Sequence, residues 1–162
     1  MTDIEKNLLK IDLCCRLPYN VKVHAKYTDL GETIELDGIV KMIDADGVVG
    51  IEVINDFSSA WTYVQIDNVK PYLFPLSSMT EEQKRELLDL TGYEARCEES
   101  CGFDSWGFYV NIVGEYKYED SKKSIILYPD DIGIDWLNKN HFDYRGLIEK
   151  DLAIDATGLN VY

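Results

Sequence analysis

The stretch that decides the fold reads Val21-Lys22-Val23-His24-Ala25-Lys26-Tyr27. Apolar side chains stand at every second position, which is the pattern of a strand that buries one of its faces. The same period of two continues to Phe74, interrupted by turn residues at 29–32 and 44–47. The sequence therefore predicts five short strands, joined by tight turns, between residues 20 and 74.

Five short strands at this spacing favour a small, strongly bent sheet. Closure into a barrel removes the exposed edges that such a sheet would otherwise present. We therefore expect a small bent SH3-like β-barrel or sheet. Gly38 interrupts an alternating stretch, and we expect it to mark a bulge or a bend.

Two helices are predicted from capping patterns. Thr2 and Glu5 have capping-box spacing, ahead of a helix whose apolar face is expected to contain Ile4, Leu8 and Ile11. A second helix is predicted over residues 80–91, with Thr80 and Gln83 as its capping box. Its buried side is expected to comprise Leu87, Leu88 and Leu90, and its C-cap Gly92.

The remaining sequence returns to strand patterns and then to helices. Strands are expected at 93–97, 106–113 and 125–128, with Gly102 in a loop. Asp130 and Asp131 are expected to cap a helix that buries Ile132, Trp136 and Leu137, and Asp143 a shorter helix that carries Leu147 and Ile148. The prediction is an α+β protein, with the N-terminal helix and sheet in residues 1–78 and an α+β part, 79–162, packed on it. One continuous domain is the alternative.

The chain of 162 residues is strongly acidic, with 16 basic and 30 acidic side chains and a formal net charge of −14. Phosphate backbones repel such a surface, so we expect no direct nucleic-acid binding. A basic protein partner would be attracted to it. Solubility alone also accounts for the charge, because net charge governs solubility and association rather than fold.

No apolar run approaches the roughly 20 residues that a membrane span needs, so we expect no membrane partner. The N-terminal segment Met1–Lys6 lacks the features of a signal peptide. These two observations predict a cytoplasmic protein.

The four cysteines are Cys14, Cys15, Cys97 and Cys101. The second pair has a spacing found in zinc sites, but adjacent thiols such as the first pair do not readily face one ion. A cysteine nucleophile would need a nearby histidine, and the chain has only His24 and His141. We therefore expect buried or idle thiols, no metal and no cofactor.

Residues 136–148 contain the densest group of candidate site residues. One interpretation is a catalytic site with a base, an orienting carboxylate and an anion clamp, formed by His141, Asp143, Tyr144 and Arg145. Helix caps and local ion pairs explain the same residues as a structural corner, and a binding surface is the third interpretation. The sequence contains no established catalytic motif, so we expect no catalytic residue. A hydrolase that uses His141 and Asp143 is the lowest-ranked functional alternative.

Aromatic residues suggest a binding surface elsewhere. The chain has 11 tyrosines and 3 tryptophans, more than a core of this size needs. Four of them lie near predicted strand ends, where a ligand or partner could stack: Tyr63, Tyr72, Trp106 and Tyr109. Filling of an irregular interior is the alternative explanation.

Three separated blocks, residues 17–22, 70–82 and 135–148, carry a resemblance. With the unusual run Ser77-Ser78-Met79-Thr80-Glu81-Glu82, they resemble a widespread group of uncharacterised proteins encoded by phages and prophages of gut anaerobes. Phe74 and the cysteines depart from the pattern of that group. The resemblance implies an origin, and with it the cytoplasm of a bacterial host, but no reaction.

Together these observations predict a non-enzymatic phage or prophage accessory protein that binds a host or phage macromolecule. The alternative is an acidic inhibitor of host antiviral defence, which acts as a nucleic-acid mimic (an anti-CRISPR-like decoy) or sequesters a nucleotide. A protein partner, basic in character, is expected in the first instance. Self-association into a homo-oligomer is left open by the sequence.

Overall fold

The computed structural model describes residues 1–55, 58–91, 96–104, 107–115, 122–127 and 131–162. Within them, side chains are described for 1–53, 60–87, 90 and 132–162. The chain forms two compact units, one comprising Met1–Leu73 with Leu147–Tyr162 and the other Phe74–Gly146. The first unit is therefore built from two separate segments.

The three α-helices are α1 (Asp3–Arg16), α2 (Glu81–Thr91) and α3 (Asp131–Lys139). The strands are β1 (Lys22–Asp29), β2 (Glu32–Ile43), β3 (Val48–Asn55), β4 (Ser58–Gln65), β5 (Val69–Pro75), β6 (Arg96–Asp104), β7 (Gly107–Glu115), β8 (Lys122–Leu127), β9 (Phe142–Asp143) and β10 (Ile154–Asp155). The predicted α+β class is confirmed.

The sheet of the first unit is open. Its strand order is β10-β5-β1-β2-β3-β4, and among the described strands β4 pairs with β3 alone. The predicted closure into an SH3-like barrel is not observed. Barrel closure would require β4 to meet a strand at the other end of the sheet. After a 3₁₀ turn at Ile66–Asn68 the chain instead runs beside β1, where β5 pairs through Val69–Pro71.

The first hairpin sets the register of β1 and β2. Leu30 and Gly31 both have positive φ, 48° and 88°, as a two-residue type I′ turn requires. Every residue of β1 then has a partner in β2, from Lys22 opposite Ile39 to Asp29 opposite Glu32. The tight turn predicted at this place is confirmed.

Gly38 lies inside the regular part of β2, opposite Val23, and the predicted bulge at this residue is wrong. The irregularity of β2 lies between Val40 and Met42. A Cβ at Gly38 would stand 2.5 Å from Ile51 Cγ2 and 2.6 Å from the Glu52 carbonyl oxygen. Close approach of β3, rather than a bend, therefore explains the glycine.

Helix α1 begins with the predicted capping box. The Thr2 N–H donates to Glu5 Oε2 at 2.7 Å, and the Glu5 N–H donates to Thr2 Oγ1 at 3.3 Å. The predicted apolar face is wrong, because Ile4 is 82% exposed and the fully buried residues include Leu9 and Leu13. The helix carries two neighbouring apolar stripes, and helical spacing alone does not decide which stripe faces the core.

The buried side of α1 also carries a charge pair. Asp12 and Arg16 are fully buried one helical turn apart, and the guanidinium donates to both carboxylate oxygens, at 2.7 and 3.0 Å. Each charge is tolerated in the interior because the other compensates it. The apolar core of this unit consists of Leu9, Leu13, Val21, Val23, Ala25, Val40, Val49, Ile51, Val64, Ile66, Val69, Leu73, Leu147, Leu152 and Ala153.

The second unit has a core of its own. Helix α2 begins with the predicted capping box, in which the Thr80 N–H donates to Gln83 Oε1 and the Gln83 N–H to Thr80 Oγ1. Leu87 is buried as expected, but Leu90 is exposed. The side chain of Leu88, Gly92 and Asp130 lie outside the described residues. The buried cluster comprises Leu76, Met79, Leu87, Trp136, Leu137, Phe142 and Tyr144.

A second sheet, β6-β7-β8, belongs to this unit, and Gly102 lies in β6 rather than in the predicted loop. Ile132 on α3 is exposed, contrary to expectation. The helix predicted after Asp143 is absent from the described residues 131–162, since Phe142 and Asp143 form β9 and pair with Phe74 and Pro75. Left-handed backbone at His141, with φ 57°, ends α3 and turns the chain into this strand.

Candidate functional site

Alternation along the strands of the first unit gives its sheet two faces, one of which packs on the core. Cross-strand partners show which residues share the opposite face, because directly paired residues point to the same side. We call it the outer face, and its residues include Lys22, His24, Lys26, Glu35, Asp37, Ile39, Met42, Glu52, Trp61, Tyr63, Lys70 and Tyr72.

A polar cluster on the outer face joins His24, Asp37 and Tyr72. His24 Nδ1 lies 2.9 Å from Asp37 Oδ1, and the Tyr72 hydroxyl donates to the same oxygen at 2.8 Å. Burial of the phenol, followed by the hydrogen bond to Asp37, raises the pKa of Tyr72 to about 12. Tyr72 is therefore protonated at neutral pH and acts as a donor to the carboxylate.

Tyr162 lies beside this cluster and bridges two strands. The β1–β5 register runs as far as Val23 opposite Pro71, so the next residues in line are Lys22 and Tyr72. The Tyr162 hydroxyl accepts from the Lys22 N–H at 3.2 Å and donates to the Tyr72 carbonyl at 2.9 Å. Burial of this hydroxyl is the main reason that the pKa of Tyr162 rises to about 12.

Three lysine side chains of this sheet form ion pairs with carboxylates. Lys26 pairs with Glu35 at 2.6 Å, Lys70 with Asp151 at 2.5 Å, and Lys41 with Glu52 at 3.5 Å. The hydrogen bond from Lys26 lowers the pKa of Glu35. Exposed pairs of this kind contribute little stability. Their consequence is electrostatic, since they reduce the positive potential that a phosphate backbone would need.

Exposed apolar side chains occupy the β4 end of the outer face. Trp61 is 52% exposed and Tyr63 is 60% exposed, both on β4, and Met42 is exposed beside them. A Cβ on Gly50 would lie 3.3 Å from both Met42 Cβ and Tyr63 Cε1, so these two side chains meet above the glycine. We call Met42, Trp61 and Tyr63 the aromatic strip. Grouped exposed side chains of this kind are typical of binding surfaces.

The corner at residues 141–145 is mostly buried. His141, Asp143 and Tyr144 are buried, and Arg145 is half-buried. The Tyr144 hydroxyl donates to Asn138 Oδ1 at 2.9 Å and accepts from Arg145 Nη2 at 3.1 Å. The guanidinium also lies 4.8 Å from the centre of the Tyr144 ring. These contacts are local and stabilise the bracket, our name for residues 138–145, in which the chain turns from α3 into β9.

The backbone of His141 contributes to the same bracket. Its N–H donates to the Asn138 carbonyl at 3.2 Å, and its carbonyl accepts from the Phe74 N–H at 2.9 Å. The residue therefore serves the helix end, as a C-terminal cap does. Its side chain and that of Asp143 are inside the protein, away from a solvent-borne substrate.

Of the four aromatic candidates, Tyr63 and Tyr72 share the outer face but stand on β4 and β5, which are separated by three strands. Trp106 lies outside the described residues. Tyr109 lies in β7 opposite Gly102, and its side chain is likewise outside them. The two candidates whose side chains are described, Tyr63 and Tyr72, therefore lie at different places on the outer face.

Side chains are described for two of the four cysteines, Cys14 and Cys15, and both are free thiols. Cys14 is exposed and Cys15 is half-buried, both on α1. Partial burial, followed by the neighbouring Cys15, raises the pKa of Cys14, which makes its thiol a weaker nucleophile at neutral pH. Cys97 and Cys101 lie in β6, and their side chains are outside the described residues.

Two kinds of structural feature are absent from the described part of the chain. No group of three or more His, Cys, Asp or Glu side chains there is placed to hold a metal ion. None of the described helices combines the length and apolarity that crossing a membrane would require.

Sequence reasoning missed His24, Asp37, Trp61 and Met42 as candidate site residues. A signal for the first pair was present, because a two-residue turn at Leu30 and Gly31 fixes the pairing of His24 with Asp37. Trp61 shares its alternation with Tyr63, so both point to one face of β4.

Comparison with protein-family models, with curated proteins and with solved structures gave no match.

Proposed function

We propose that the protein is a non-enzymatic phage or prophage accessory protein, which binds a host or phage protein in the bacterial cytoplasm. The observation that carries the proposal is the aromatic strip of Met42, Trp61 and Tyr63 on the outer face. The phage or prophage origin rests on the sequence resemblance alone.

Energetics support the strip as the contact surface. Trp61 and Tyr63 are each more than half exposed, at 52% and 60%, so a partner can remove much apolar surface from water. Tryptophan and tyrosine are the residue types that most often dominate binding energy in protein interfaces. Both stand on a hydrogen-bonded strand, so little backbone freedom is lost when they are covered.

Binding is supported over catalysis by the state of the candidate catalytic groups. His141 and Asp143 are buried within the corner, at 8% and 6% exposed, so little of either side chain faces solvent. His24 and Tyr72 both contact one oxygen of Asp37, and the Asp37 side chain is 67% exposed, so water reaches this cluster on the outer face. Catalysis favours a site from which water can be excluded.

The net charge favours a second candidate, inhibition of a host defence protein that has a basic nucleic-acid-binding surface. A formal charge of −14 attracts such a surface, and the paired lysines of the outer face leave the acidic field largely unopposed. Charge-driven binding weakens steeply as salt rises, whereas contact through the aromatic strip does not. Graded salt therefore separates the two candidates.

The test has two stages. The chain is first used to capture partners from host lysate with washes at graded salt, and the affinity for each recovered protein is then measured by calorimetry. We expect Trp61→Ser with Tyr63→Ser to weaken the salt-resistant complex by roughly tenfold or more, as loss of interface aromatics does. The loss of affinity measured for each single variant, Trp61→Ser or Tyr63→Ser, would rank the contributions of the two rings.

The matched control removes two apolar side chains elsewhere that are more exposed than Trp61 and Tyr63. Ile4→Ser with Leu30→Ser changes residues that are 82% and 99% exposed on α1 and on the first hairpin turn. This control is expected to keep the affinity of the original chain. Equal weakening by both double variants would contradict the proposal, as would a complex that high salt abolishes.

A further inference from the structure

We propose that two copies of this chain pair through the free edges of their β4 strands, antiparallel to one another, about a two-fold axis that passes between the two Thr62 residues. The two sheets would then continue into one another. The pairing uses backbone groups of the edge and does not rest on the proposed function.

Within the described residues, the second edge of β4 has no strand partner. Among the described strands β4 pairs only with β3, so every second residue of Ser58–Gln65 directs its N–H and C=O away from the sheet. Natural sheets usually guard such edges with charged side chains or proline. The sequence Ser58-Ser59-Ala60-Trp61-Thr62-Tyr63-Val64-Gln65 contains neither.

Charge identifies the occupant as a second copy. Two molecules with a formal charge of −14 repel one another, and the local repulsion is smallest where they meet through an uncharged segment such as β4. The nearest charges on the neighbouring strands, Lys41 and Glu52, form an ion pair at 3.5 Å and largely cancel. A basic foreign strand would find no carboxylate on β4 to pair with, whereas an identical neutral strand needs none.

Symmetry restricts the register. A two-fold axis perpendicular to the sheet keeps each residue on its own face, and opposed residues must share a face. Each residue of one copy can therefore oppose either the same residue of the other copy or a residue whose number differs from its own by an even number. With the axis at Thr62, Trp61 of each copy opposes Tyr63 of the other, and Ala60 opposes Val64.

This register places both large rings, Trp61 and Tyr63, opposite an aromatic ring of the other copy. Opposed side chains in antiparallel strands have Cβ atoms about 4.5–5.5 Å apart, and aromatic pairs at this spacing are among the most favourable. An axis at Trp61 would set Tyr63 opposite Ser59 and leave its ring without an aromatic partner. The axis at Thr62 instead forms two Trp–Tyr pairs, which extend the aromatic strips of the two copies into one surface.

The experiment measures molecular mass by sedimentation velocity over a wide concentration range. The original chain is expected to shift from monomer to dimer as concentration rises. Thr62→Glu and Thr62→Lys each place like charges opposite one another and are expected to stay monomeric. An equimolar mixture of the two places opposite charges together and is expected to restore a dimer containing one copy of each.

Two controls accompany these variants. Thr33→Glu and Thr33→Lys make the same changes at an exposed residue of β2 and are expected to dimerise like the original chain. Thr62 Oγ1 lies 3.3 Å from the Tyr27 hydroxyl, so circular dichroism checks that the variants fold. If they do not, Ala60→Glu replaces them, since Ala60 is exposed in the single chain and would face Val64 in the dimer.

Three outcomes would overturn the pairing. The first is an original chain that stays monomeric, whether or not a foreign strand occupies β4. The others are Thr62 variants that dimerise like the original chain, and an equimolar mixture of the two Thr62 variants that remains monomeric. The Thr62 variants keep Trp61 and Tyr63 in place. Partner binding that survives the loss of the dimer would therefore leave the proposed function standing while dimerisation is tested separately.

Discussion

Tyr162 stands where β1 and β5 would otherwise pair through their backbones. Its hydroxyl accepts from the Lys22 N–H and donates to the Tyr72 carbonyl, so one side chain supplies both halves of a missing ladder contact. Lys22 reaches back to the same segment, since its ammonium donates to the Val161 carbonyl and lies 5.7 Å from the centre of the Tyr162 ring. The end of the chain is thus fastened to the edge of the polar cluster.

Removal of this hydroxyl tests the bridge. Tyr162→Phe is expected to lower the free energy of unfolding by about 0.5–1.5 kcal/mol at pH 9, the usual contribution of a hydrogen bond. Urea denaturation measures it, with Tyr63→Phe as the control, because that change removes an exposed hydroxyl from the same sheet. A larger effect of Tyr63→Phe would contradict the role of Tyr162.

Burial of the two phenols, Tyr72 and Tyr162, predicts a pH dependence. Tyr72 and Tyr162 have pKa values raised to about 12, against 10.0 for an ordinary tyrosine. Below pH 10 folded and unfolded chains both hold these protons, so this part of the stability is fully present. Between pH 10 and 12 the unfolded chain loses them first, and stability falls as pH rises. Tyr162→Phe should flatten this fall in urea titrations, and an unchanged slope would contradict the raised pKa of the buried Tyr162 phenol.

At the scale of elements, local interactions were the predictable part. The capping boxes of Thr2 with Glu5 and of Thr80 with Gln83 involve residues three positions apart, so the sequence contains the whole interaction. The exposure of Ile4, the close approach at Gly38 and the open sheet depend on elements distant in sequence. Periodicity shows that a face is apolar but not what covers it.

The same division applies to the candidate site. The pairing of His24 with Asp37 follows from the length of one turn and was within reach of the sequence. The attachment of Tyr72 to that carboxylate was not, because it requires β5 to lie beside β1. Tyr162 joins the cluster from the other end of the chain, and no local pattern announces such a contact.

The first hairpin turn offers a stabilising substitution. Leu30 has φ 48°, a conformation that is costly for most L residues and well tolerated by asparagine, and its side chain is 99% exposed. Leu30→Asn is therefore expected to raise the free energy of unfolding by about 1 kcal/mol. The gain comes from the better-tolerated backbone conformation, and no packing is lost with the exposed side chain. Urea denaturation measures the change.

Thr33→Asn is the control for this substitution. Thr33 is exposed on β2 outside the turn, where asparagine is a poor strand former, so no gain is expected there. A Leu30→Asn chain that is no more stable than the original would show that the turn does not bear the expected strain.

At the scale of the whole molecule, the first unit is closed by a returning segment. The chain leaves this unit after Leu73 and returns at Leu147, which is fully buried in its core with Leu152 and Ala153 close behind. The Ala156 N–H donates to the Leu73 carbonyl at 2.8 Å, where β10 runs parallel to β5. The tail has only a weak pattern in sequence, because its apolar residues fill a core built largely by distant strands.

This arrangement predicts that the first unit folds without the segment 74–146. A chain in which about 15 Gly and Ser residues join Leu73 to Leu147 has a linker that spans roughly 20 Å and keeps every residue of the first core. We expect one cooperative unfolding transition by circular dichroism, as for other small single domains. The control, residues 1–73 alone, lacks Leu147, Leu152, Ala153 and β10, and each large-to-small loss in a core costs several kcal/mol. That fragment is expected to be unfolded. A joined chain as unfolded as the fragment would show that the segment 74–146 is needed for the core to form.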